Sequence, residues 1–322
     1  MMRLPTFAFV EPTSLDEVVD LLATEPDAMV VSGGTDLFPN MKRRLVEPAT
    51  VIGLGSVPGM SGIGVEEDGA TRIGAGTLLA DLASSPDAPP ALAEAAGLVA
   101  SPQIRNVGTV GGNLCVDTRC NWVNESPEWR AASGSCLKDG GDTCWVAPRG
   151  GVCVAVSSTD LAPAAIALAG SVRLVGPRGQ REIPVSDLYR TDGMDHLTRG
   201  RDEVLVDLRI PPADGVRATY RKLRRRGAID FPILGVGAAV RTDDDGLVTE
   251  ARIVFGAVAP APFRATEAEE ALVGRGLTAD VIEEVAALAT KPVRPLDNTD
   301  LGSRYRKWMA SVFVTRALLD LA

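Results

Sequence analysis

The sequence predicts an α+β fold for a chain of 322 residues: two N-terminal lobes, a cysteine-rich insertion in the second lobe, and a C-terminal antiparallel sheet backed by helices. Three observations predict this organisation. Short apolar runs, glycine turns and helical periodicity alternate through the first two thirds of the chain. All five cysteines are confined to residues 115–153. In the last third, strand-like segments precede helical segments, the order that is typical of a sheet covered by a helical layer.

The composition is that of a globular protein, with 45% hydrophobic and 23% charged residues. No apolar run reaches the roughly 18 residues that a membrane span needs, so we expect no membrane insertion. The formal charge of −9 argues against a nucleic-acid surface, which needs basic patches. The first residues, Met1 to Pro5, lack the apolar core of an export signal, so we expect a cytoplasmic protein with reduced thiols.

A single histidine, His196, limits the chemistry that the chain can perform alone. No His-rich metal site can be built from it, and it lies in the polar loop Asp192–His196, where we expect a solvated side chain. Because conventional acid–base candidates are few, any demanding chemistry is expected to belong to a cofactor.

The first lobe is predicted at residues 1–54. It begins with an extended run at residues 7–10, followed by Ser14 and Glu17 in the pattern of a capping box ahead of an amphipathic helix. A buried strand predicted at residues 29–31 then runs into Ser32-Gly33-Gly34-Thr35-Asp36-Leu37. Such a glycine turn allows backbone amides to approach an anion, although an ordinary tight turn has the same appearance.

The second lobe is predicted at residues 55–213. Short strands and glycine turns are followed by helical segments at residues 78–82 and 90–100. A second glycine turn is predicted at Thr109-Val110-Gly111-Gly112-Asn113, about eighty residues after the first. Neither turn matches the dinucleotide or P-loop fingerprint, but together the two turns could clasp one pyrophosphate.

The rest of the second lobe follows the cysteine segment. Residues 152–156 are predicted as a strand that enters Ser157–Asp160, which is equally consistent with a helix N-cap. A helix is predicted at residues 161–168, with strands at residues 172–175 and 204–210.

The C-terminal domain is predicted at residues 214–322, after a boundary marked by Pro211 and Pro212. Its strands are predicted at residues 218–223, 233–240 and 251–258, with a hairpin turn at 243–246, and its helices at residues 266–273, 279–288 and 303–321.

The cysteine segment has the ordered spacing Cys115-x4-Cys120-x15-Cys136-x7-Cys144-x8-Cys153 and also contains Trp122, Trp129 and Trp145. Four thiolates can close one metal site, and an all-sulfur ligand set selects zinc or an iron–sulfur cluster. Zinc knuckles pair cysteines two to four residues apart, whereas these gaps are longer, which favours a cluster. Ordinary buried or surface cysteines remain the alternative, since a free cysteine is commonly a small buried hydrophobe.

Taken in order, the motifs of the whole chain resemble those of the FAD-binding medium subunits of the molybdenum hydroxylases, the group that includes carbon monoxide dehydrogenase and xanthine dehydrogenase. The segments that carry the resemblance are Ser32–Leu37, Gln103–Asn106, Thr109–Asn113, Thr159–Asp160, Asp202–Leu205 with Ile210-Pro211, Tyr220–Arg225 and Gly256–Ala265.

The resemblance implies a two-lobed, PCMH-type FAD-binding module. It implies that the backbone amides of Gly33–Leu37 and Gly111–Asn113 hold the pyrophosphate, that Asp160 contacts the nucleotide, and that Leu205 and Lys222 lie at the flavin. For Lys222, a solvated charge in the basic run 221–226 is the alternative. The residues expected to bind FAD are Val31, Ser32, Gly33, Gly34, Thr35, Asp36, Leu37, Gly108, Thr109, Gly111, Gly112, Asn113, Asp160, Leu205 and Lys222.

Most such relatives lack a cysteine cluster after the second glycine turn. The insertion here is similar to that of the β subunit of 4-hydroxybenzoyl-CoA reductase, which implies a 4Fe-4S cluster bound by Cys120, Cys136, Cys144 and Cys153. Cys115 would keep a packing role outside the cluster, and the three tryptophans could shield the cluster from water.

The activity implied is electron transfer during reductive dehydroxylation of 4-hydroxybenzoyl-CoA to benzoyl-CoA, with the chemistry in a partner chain. The implied partners are a large molybdopterin subunit and a small 2Fe-2S subunit. A dry surround should lower the potential of the cluster, which suits a strong electron donor such as a ferredoxin. Arg224, Arg225 and Arg226 either serve docking or a polar flavin edge, or form a solvated face. The alternatives are a hydroxylase subunit that passes electrons outward to an acceptor, and a binding or structural protein whose loop is stapled by zinc.

Overall fold

Three sheets organise residues 3–322, the part of the chain that the computed structural model describes. Met1 and Met2, which begin the segment predicted to lack an export signal, lie outside this range. The strands are β1 (Ala8–Val10), β2 (Ala28–Val31), β3 (Thr50–Gly53), β4 (Ile63–Val65), β5 (Thr71–Gly74), β6 (Ser171–Gly176), β7 (Gly179–Pro184), β8 (Val204–Ile210), β9 (Val216–Leu223), β10 (Leu234–Thr242), β11 (Val248–Gly256) and β12 (Phe263–Arg264). The helices are α1 (Leu15–Thr24), α2 (Leu37–Lys42), α3 (Leu79–Ser84), α4 (Pro90–Gly97), α5 (Pro102–Arg105), α6 (Val110–Leu114), α7 (Pro127–Ser133), α8 (Leu161–Ala167), α9 (Thr266–Leu272), α10 (Ala279–Ala289) and α11 (Ser303–Leu319).

The first lobe is a parallel sheet in the order β1-β3-β2. Its predicted helix is confirmed: Ser14 Oγ accepts from the amide of Glu17 at 3.2 Å. The reciprocal bond of the capping box is shifted by one residue, since Glu17 Oε2 accepts from the amide of Thr13 at 2.7 Å. The prediction of a buried strand at residues 29–31 is wrong as to burial, because β2 lies at the sheet edge and leaves Met29 36% exposed.

The second lobe is a five-stranded sheet in the order β4-β5-β8-β6-β7, with every pair antiparallel. The strand β7 was not predicted, because it is an exposed edge strand with charged residues and no apolar alternation. The predicted strand at residues 152–156 is wrong: only Val156 pairs, in an isolated bridge with Arg119. Instead of pairing in a sheet, Cys153 and Ala155 are buried in a small hydrophobic cluster with Cys120 and Val123.

The C-terminal sheet, in the order β12-β11-β10-β9, lies between α8 on one face and α9, α10 and α11 on the other. Its predicted strands and helices are confirmed. Glycines allow the close approach of α8: a Cβ at Gly237 would lie 2.3 Å from Pro163 O, and one at Gly256 would lie 2.6 Å from Pro163 Cγ. Every residue of α8 is therefore buried between the two domains.

The predicted domain boundaries at residues 54 and 213 stay predictions, because one hydrophobic cluster includes side chains from all three proposed domains, such as Ile52, Ile73 and Val254. Within residues 3–322, none of the helices is both long enough and apolar enough to cross a membrane.

Candidate cofactor site

The first glycine segment, Ser32–Leu37, connects β2 to α2. Within the described chain, none of the backbone N–H groups from Gly33 to Leu37 donates a hydrogen bond to a protein acceptor. Gly34 has φ +68°, a conformation that glycine adopts without strain. Successive unpaired amides in such a turn form a concavity suited to an anion.

The second glycine segment differs from its prediction, because Val110–Leu114 is the short helix α6 and Thr109 is its N-cap. Its amides already donate to acceptors within the protein, so a pyrophosphate held by those of Gly111–Asn113 would compete with these bonds. The cofactor contacts expected for Gly111, Gly112 and Asn113 stay a prediction. The bonds are Val110 N to Thr77 O at 2.9 Å, Gly111 N to Ala75 O at 2.7 Å, Gly112 N to Thr109 Oγ1 at 3.2 Å and Asn113 N to Thr109 O at 2.9 Å.

The structure brings the chain leading into the second segment directly against the first one. A Cβ at Gly33 would lie 1.8 Å from Val107 O and 3.1 Å from the Cα of Gly108. A Cβ at Gly108 would lie 3.6 Å from Thr35 Oγ1. The free amides of Gly33–Leu37 therefore lie beside Gly108, as a clasp built from both lobes requires.

Asn113 fixes the second segment to the start of α8. Its Oδ1 accepts from Thr159 Oγ1 at 2.8 Å and from the amide of Leu161 at 3.0 Å. Thr159 Oγ1 also accepts from the amide of Ala162 at 3.2 Å, so Thr159 rather than Asp160 caps this helix with its side chain.

Asp160 is held in a buried ion pair with Lys222, whose Nζ lies 2.9 Å from Asp160 Oδ2. Lys222 Nζ also donates to Leu98 O and Asp230 O, each at 3.0 Å. Tyr220 OH donates to Asp160 Oδ1 at 2.8 Å. The alternative of a solvated Lys222 is therefore wrong, and direct contact of either residue with a nucleotide stays a prediction.

Burial opposes charge on both members of this pair. It raises the pKa of Asp160 and lowers the pKa of Lys222, while the attraction between the two groups acts in the opposite direction on each. The pair joins β9 of the C-terminal domain to the start of α8 in the second lobe. It therefore couples the two domains.

Leu205 lies in the buried strand β8, opposite Leu174 of β6. The next residue, Val206, accepts through its carbonyl from the amide of Ala75 at 2.8 Å, and Ala75 in turn accepts from Gly111. Leu205 is thus close along the strand to the residues that support α6, and its proximity to a flavin stays a prediction.

Arg119, which sequence reasoning missed, connects Asp36 to the cysteine segment. Its Nη2 donates to Asp36 Oδ1, and its Nη1 lies 3.3 Å from Asn40 Oδ1. The guanidinium carbon lies 4.5 Å from the ring centroid of Phe231. Burial lowers the pKa of Arg119 to about 10, and its Nε is buried without a hydrogen-bond partner among residues 3–322. A buried donor without an acceptor is what a site for a polar ligand would leave.

Four of the five cysteines line one pocket: Cys120, Cys136, Cys144 and Cys153. All five cysteines are free thiols. Within the described chain, no three His, Cys, Asp or Glu side chains form a group suited to a single metal ion. Burial raises the pKa of the Cys120 thiol and raises that of Cys153 to about 11, so without a metal these groups stay protonated at neutral pH.

Apolar side chains complete the pocket. Trp122 and Trp145 line it and meet edge to face, with ring centroids 5.1 Å apart. Trp129 does not line the pocket; its ring is tilted by 45° against that of Trp122, and its side chain is 40% exposed, which does not fit a shielding role. Shielding by Trp122 and Trp145 stays a prediction.

Cys115 lies outside this pocket and packs against the main hydrophobic core of the second lobe. Burial raises the pKa of its thiol. The packing role expected for Cys115 fits this location, while the ligand set of the four other thiols stays a prediction.

The structure corrects the expectation for His196. Its side chain is only 12% exposed, with Nε2 3.2 Å from Val116 O and Nδ1 3.8 Å from Asp117 Oδ1. The polar loop around it folds back over residues 116–118, and burial lowers the pKa of His196.

The basic run divides into two parts. The side chains of Arg225 and Arg226 are mostly exposed, and Arg226 Nε donates to Asp230 Oδ1 at 2.9 Å. Arg224 is partly buried, with Nη1 3.5 Å from Leu98 O. A solvated face fits Arg225 and Arg226, and docking through them stays a prediction.

Comparison with protein families matches residues 5–213 to the FAD binding domain in molybdopterin dehydrogenase. Residues 218–321 match the CO dehydrogenase flavoprotein C-terminal domain. The chain belongs to this family. Both matches agree with the predicted resemblance to FAD-binding medium subunits, and FAD is therefore the cofactor that this module binds.

Curated relatives extend over nearly the whole chain. The carbon monoxide dehydrogenase medium chain of Hydrogenophaga pseudoflava is 30% identical over 98% of this chain and 96% of its own length. The nicotine 6-hydroxylase medium subunit of Paenarthrobacter nicotinovorans is 27% identical over 99% of this chain and 98% of its own length.

A solved structure of the carbon monoxide dehydrogenase from Hydrogenophaga pseudoflava superposes with a TM-score of 0.81 at 31% identity, covering 99% of this chain and 98% of that one. These likenesses confirm the predicted fold class: a PCMH-type FAD-binding module followed by an antiparallel sheet with helices. The chain is the flavin subunit of an oxidoreductase of the molybdenum hydroxylase family.

Proposed function

We propose that this chain is the FAD- and 4Fe-4S-containing electron-transfer subunit of a molybdenum-dependent 4-hydroxybenzoyl-CoA reductase. The observation that carries the proposal is the pocket ringed by Cys120, Cys136, Cys144 and Cys153, which adjoins the flavin segment through Arg119. Reductive dehydroxylation to benzoyl-CoA takes place in a partner subunit that contains molybdopterin. A small subunit contributes 2Fe-2S centres, and a ferredoxin is the proposed donor.

The residues of the flavin module fit FAD. The unpaired amides of Gly33–Leu37 offer donors to a pyrophosphate, and the buried Nε of Arg119 offers one to another polar acceptor. Bound FAD supplies the exchange between one-electron and two-electron chemistry that side chains cannot perform. The protein's part is to hold the cofactor between the lobes, where Gly33 and Gly108 meet.

The cysteine pocket fits a cluster better than it fits zinc. Four thiols share the pocket, and the sequence gaps between them are longer than those of zinc knuckles. An iron–sulfur cluster is held by four thiolates, the number of thiols that line this pocket. Two tryptophans on the pocket wall, Trp122 and Trp145, limit the access of water.

The second candidate is a hydroxylase subunit that sends electrons outward to an acceptor. The relatives favour it, since they include a nicotine 6-hydroxylase subunit and a nicotinate dehydrogenase FAD-subunit. The third, a protein with a zinc-stapled loop, is least favoured, because the gaps between the cysteines are longer than those of zinc knuckles. A cytoplasmic location suits both redox candidates, because thiol ligands need a reducing compartment.

The test is anaerobic production of the chain alone and together with the proposed molybdopterin and 2Fe-2S subunits. With a reduced low-potential donor, the assembly should convert 4-hydroxybenzoyl-CoA to benzoyl-CoA, and the chain alone should not. Turnover by the chain alone, without molybdenum, would overturn the division of labour. An assembly that oxidises a substrate but never dehydroxylates the thioester would establish the hydroxylase. A chain that contains zinc but neither iron nor flavin would remove both redox functions.

A further inference from the structure

Lys138 lies two residues after Cys136 and is held rigidly inside the protein, with a side chain only 13% exposed. Its Nζ donates to Asp117 Oδ1 at 2.6 Å, to Thr118 Oγ1 at 2.6 Å and to Gly193 O at 3.0 Å. These bonds use the three protons of an ammonium group. The charge is therefore fixed in position rather than free to move into water.

The same side chain lines the pocket of the four cysteines, and of the described residues that line it, Lys138 is the one with a charge. Gly193, which accepts from Lys138, donates through its amide to Cys153 O at 2.8 Å. The positive charge also lowers the pKa of Cys153, against the larger effect of burial. Lys138 thus acts electrostatically on the thiol group of the pocket.

A cluster with four thiolate ligands is negatively charged, and one-electron reduction adds a further negative charge. Apolar walls such as Trp122 and Trp145 disfavour that added charge, since they solvate it poorly. Two features compensate. One is the amide of Ala155, which donates to Cys153 Sγ at 3.5 Å. The other is the fixed cation of Lys138.

We infer that Lys138 is the positioning residue that raises the reduction potential of the cluster, and that Asp117 opposes it. The inference rests on the proposed 4Fe-4S site. When bound, such a cluster would supply one-electron transfer from a low-potential one-electron donor, such as a ferredoxin, to FAD, with one electron gained, one lost and no covalent bond changed. The ammonium stabilises the reduced form, whereas the Asp117 carboxylate, 2.6 Å from Nζ, cancels part of its field.

The test uses the full chain, purified anaerobically, with iron analysis and a potentiometric titration followed by low-temperature EPR. Lys138→Met should lower the midpoint potential by at least 59 mV, which is tenfold in the equilibrium constant of a one-electron couple. Lys138→Arg should stay close to wild type. Asp117→Asn should shift the potential in the opposite direction, upwards. Arg149→Met removes an exposed positive charge from the same segment, outside the pocket, and should leave the potential unchanged.

If Lys138 had only a structural role, Lys138→Met and Asp117→Asn would not shift the midpoint potential in opposite directions. A Lys138→Met variant with full iron and an unchanged potential overturns the inference and leaves the cluster standing. If Lys138→Met retains no iron, Asp117→Asn decides, since a raised potential supports the inference and an unchanged or lowered one overturns it. Wild-type chain without iron overturns the proposed cluster, and the inference with it.

Discussion

Arg119 donates from Nη2 to Oδ1 of Asp36, which joins the flavin segment to the residue next to Cys120. The two residues are 83 positions apart in the sequence. Asp36 Oδ2 also accepts from the amide of Asp117 at 3.3 Å, so the contact involves both backbone and side chain. The cysteine segment therefore helps to hold the conformation of Gly33–Leu37.

Replacing Arg119 with Met should weaken FAD binding at least tenfold, because a charge-assisted hydrogen bond contributes about 1.5–3 kcal/mol. The measurement is titration of the flavin-free protein with FAD, followed by fluorescence. Arg225→Met is the matched control, since Arg225 is exposed and its partner Asp300 is 3.4 Å away at the surface. Equal affinity of Arg119→Met and Arg225→Met for FAD would contradict the role of Arg119 in holding the flavin segment.

Lys222→Met should destabilise the protein by about 3–5 kcal/mol, because it leaves the Asp160 charge buried without a partner. The double variant Lys222→Met with Asp160→Asn should regain part of that loss, since the uncompensated charge is gone. Urea denaturation of the wild type, both single variants and the double variant gives the coupling energy. Additive effects would show that the pair does not act as a unit.

Glu203 should contribute to stability above its unfolded pKa of 4.5 and lose that contribution as the pH falls towards 2. Hydrogen bonds from Arg181 lower its folded pKa to about 2, with further help from the amide of Gly200. The free energy of unfolding of Glu203→Gln should fall below that of wild type by roughly 2–3 kcal/mol at pH 7, and this difference should shrink between pH 5 and pH 2. Urea denaturation across this range measures it. Glu47→Gln, at an exposed site, is the control; a difference that does not change with pH would refute the assignment.

Gly33→Ala should abolish retention of FAD, because a methyl group there would lie 1.8 Å from Val107 O and separate the two lobes. Gly64→Ala is the matched control, since nothing lies within 4 Å of a Cβ at that position. Flavin content after gel filtration is the measurement, with circular dichroism to verify folding. A substitution of Gly111 would be a poorer test of FAD binding, because a Cβ there would lie 2.7 Å from Ala75 Cβ and disturb packing whether or not FAD is bound.

Much of the fold could be predicted because periodicity and capping act locally. The helix α1 follows from Ser14 and the apolar spacing after it, and β10 and β11 follow from their apolar segments on either side of the turn at residues 243–246. The strand β7 could not be predicted from apolar periodicity, because an exposed edge strand has no apolar face. The second glycine segment was mistaken for a turn, since Gly111 and Gly112 disfavour helix on their own. The Thr109 cap, the packing on Ala75 and the bonds of Asn113 to the start of α8 stabilise the helix.

Candidate segments could be recognised where the signal is local in the sequence, as for Gly33–Leu37 and the cysteine segment 115–153, and their cofactor contacts stay predictions. The site was not predictable where function depends on distant residues meeting. Arg119 contacts Asp36 and Phe231, and no spacing in the sequence predicts either contact. His196 was expected to be solvated because its neighbours are polar, yet its loop packs on the chain that leads to Cys120 and leaves its side chain 12% exposed.

We expect Cys120, Cys136, Cys144 and Cys153 to bind one 4Fe-4S cluster and Cys115 to remain outside it. The most direct measurement compares iron content and low-temperature EPR of dithionite-reduced wild type, Cys115→Ser and Cys136→Ser, all purified anaerobically. We expect Cys115→Ser to retain the iron and spectrum of the wild type and Cys136→Ser to lose the native cluster. Loss of the cluster in Cys115→Ser together with a native cluster in Cys136→Ser would contradict the ligand assignment.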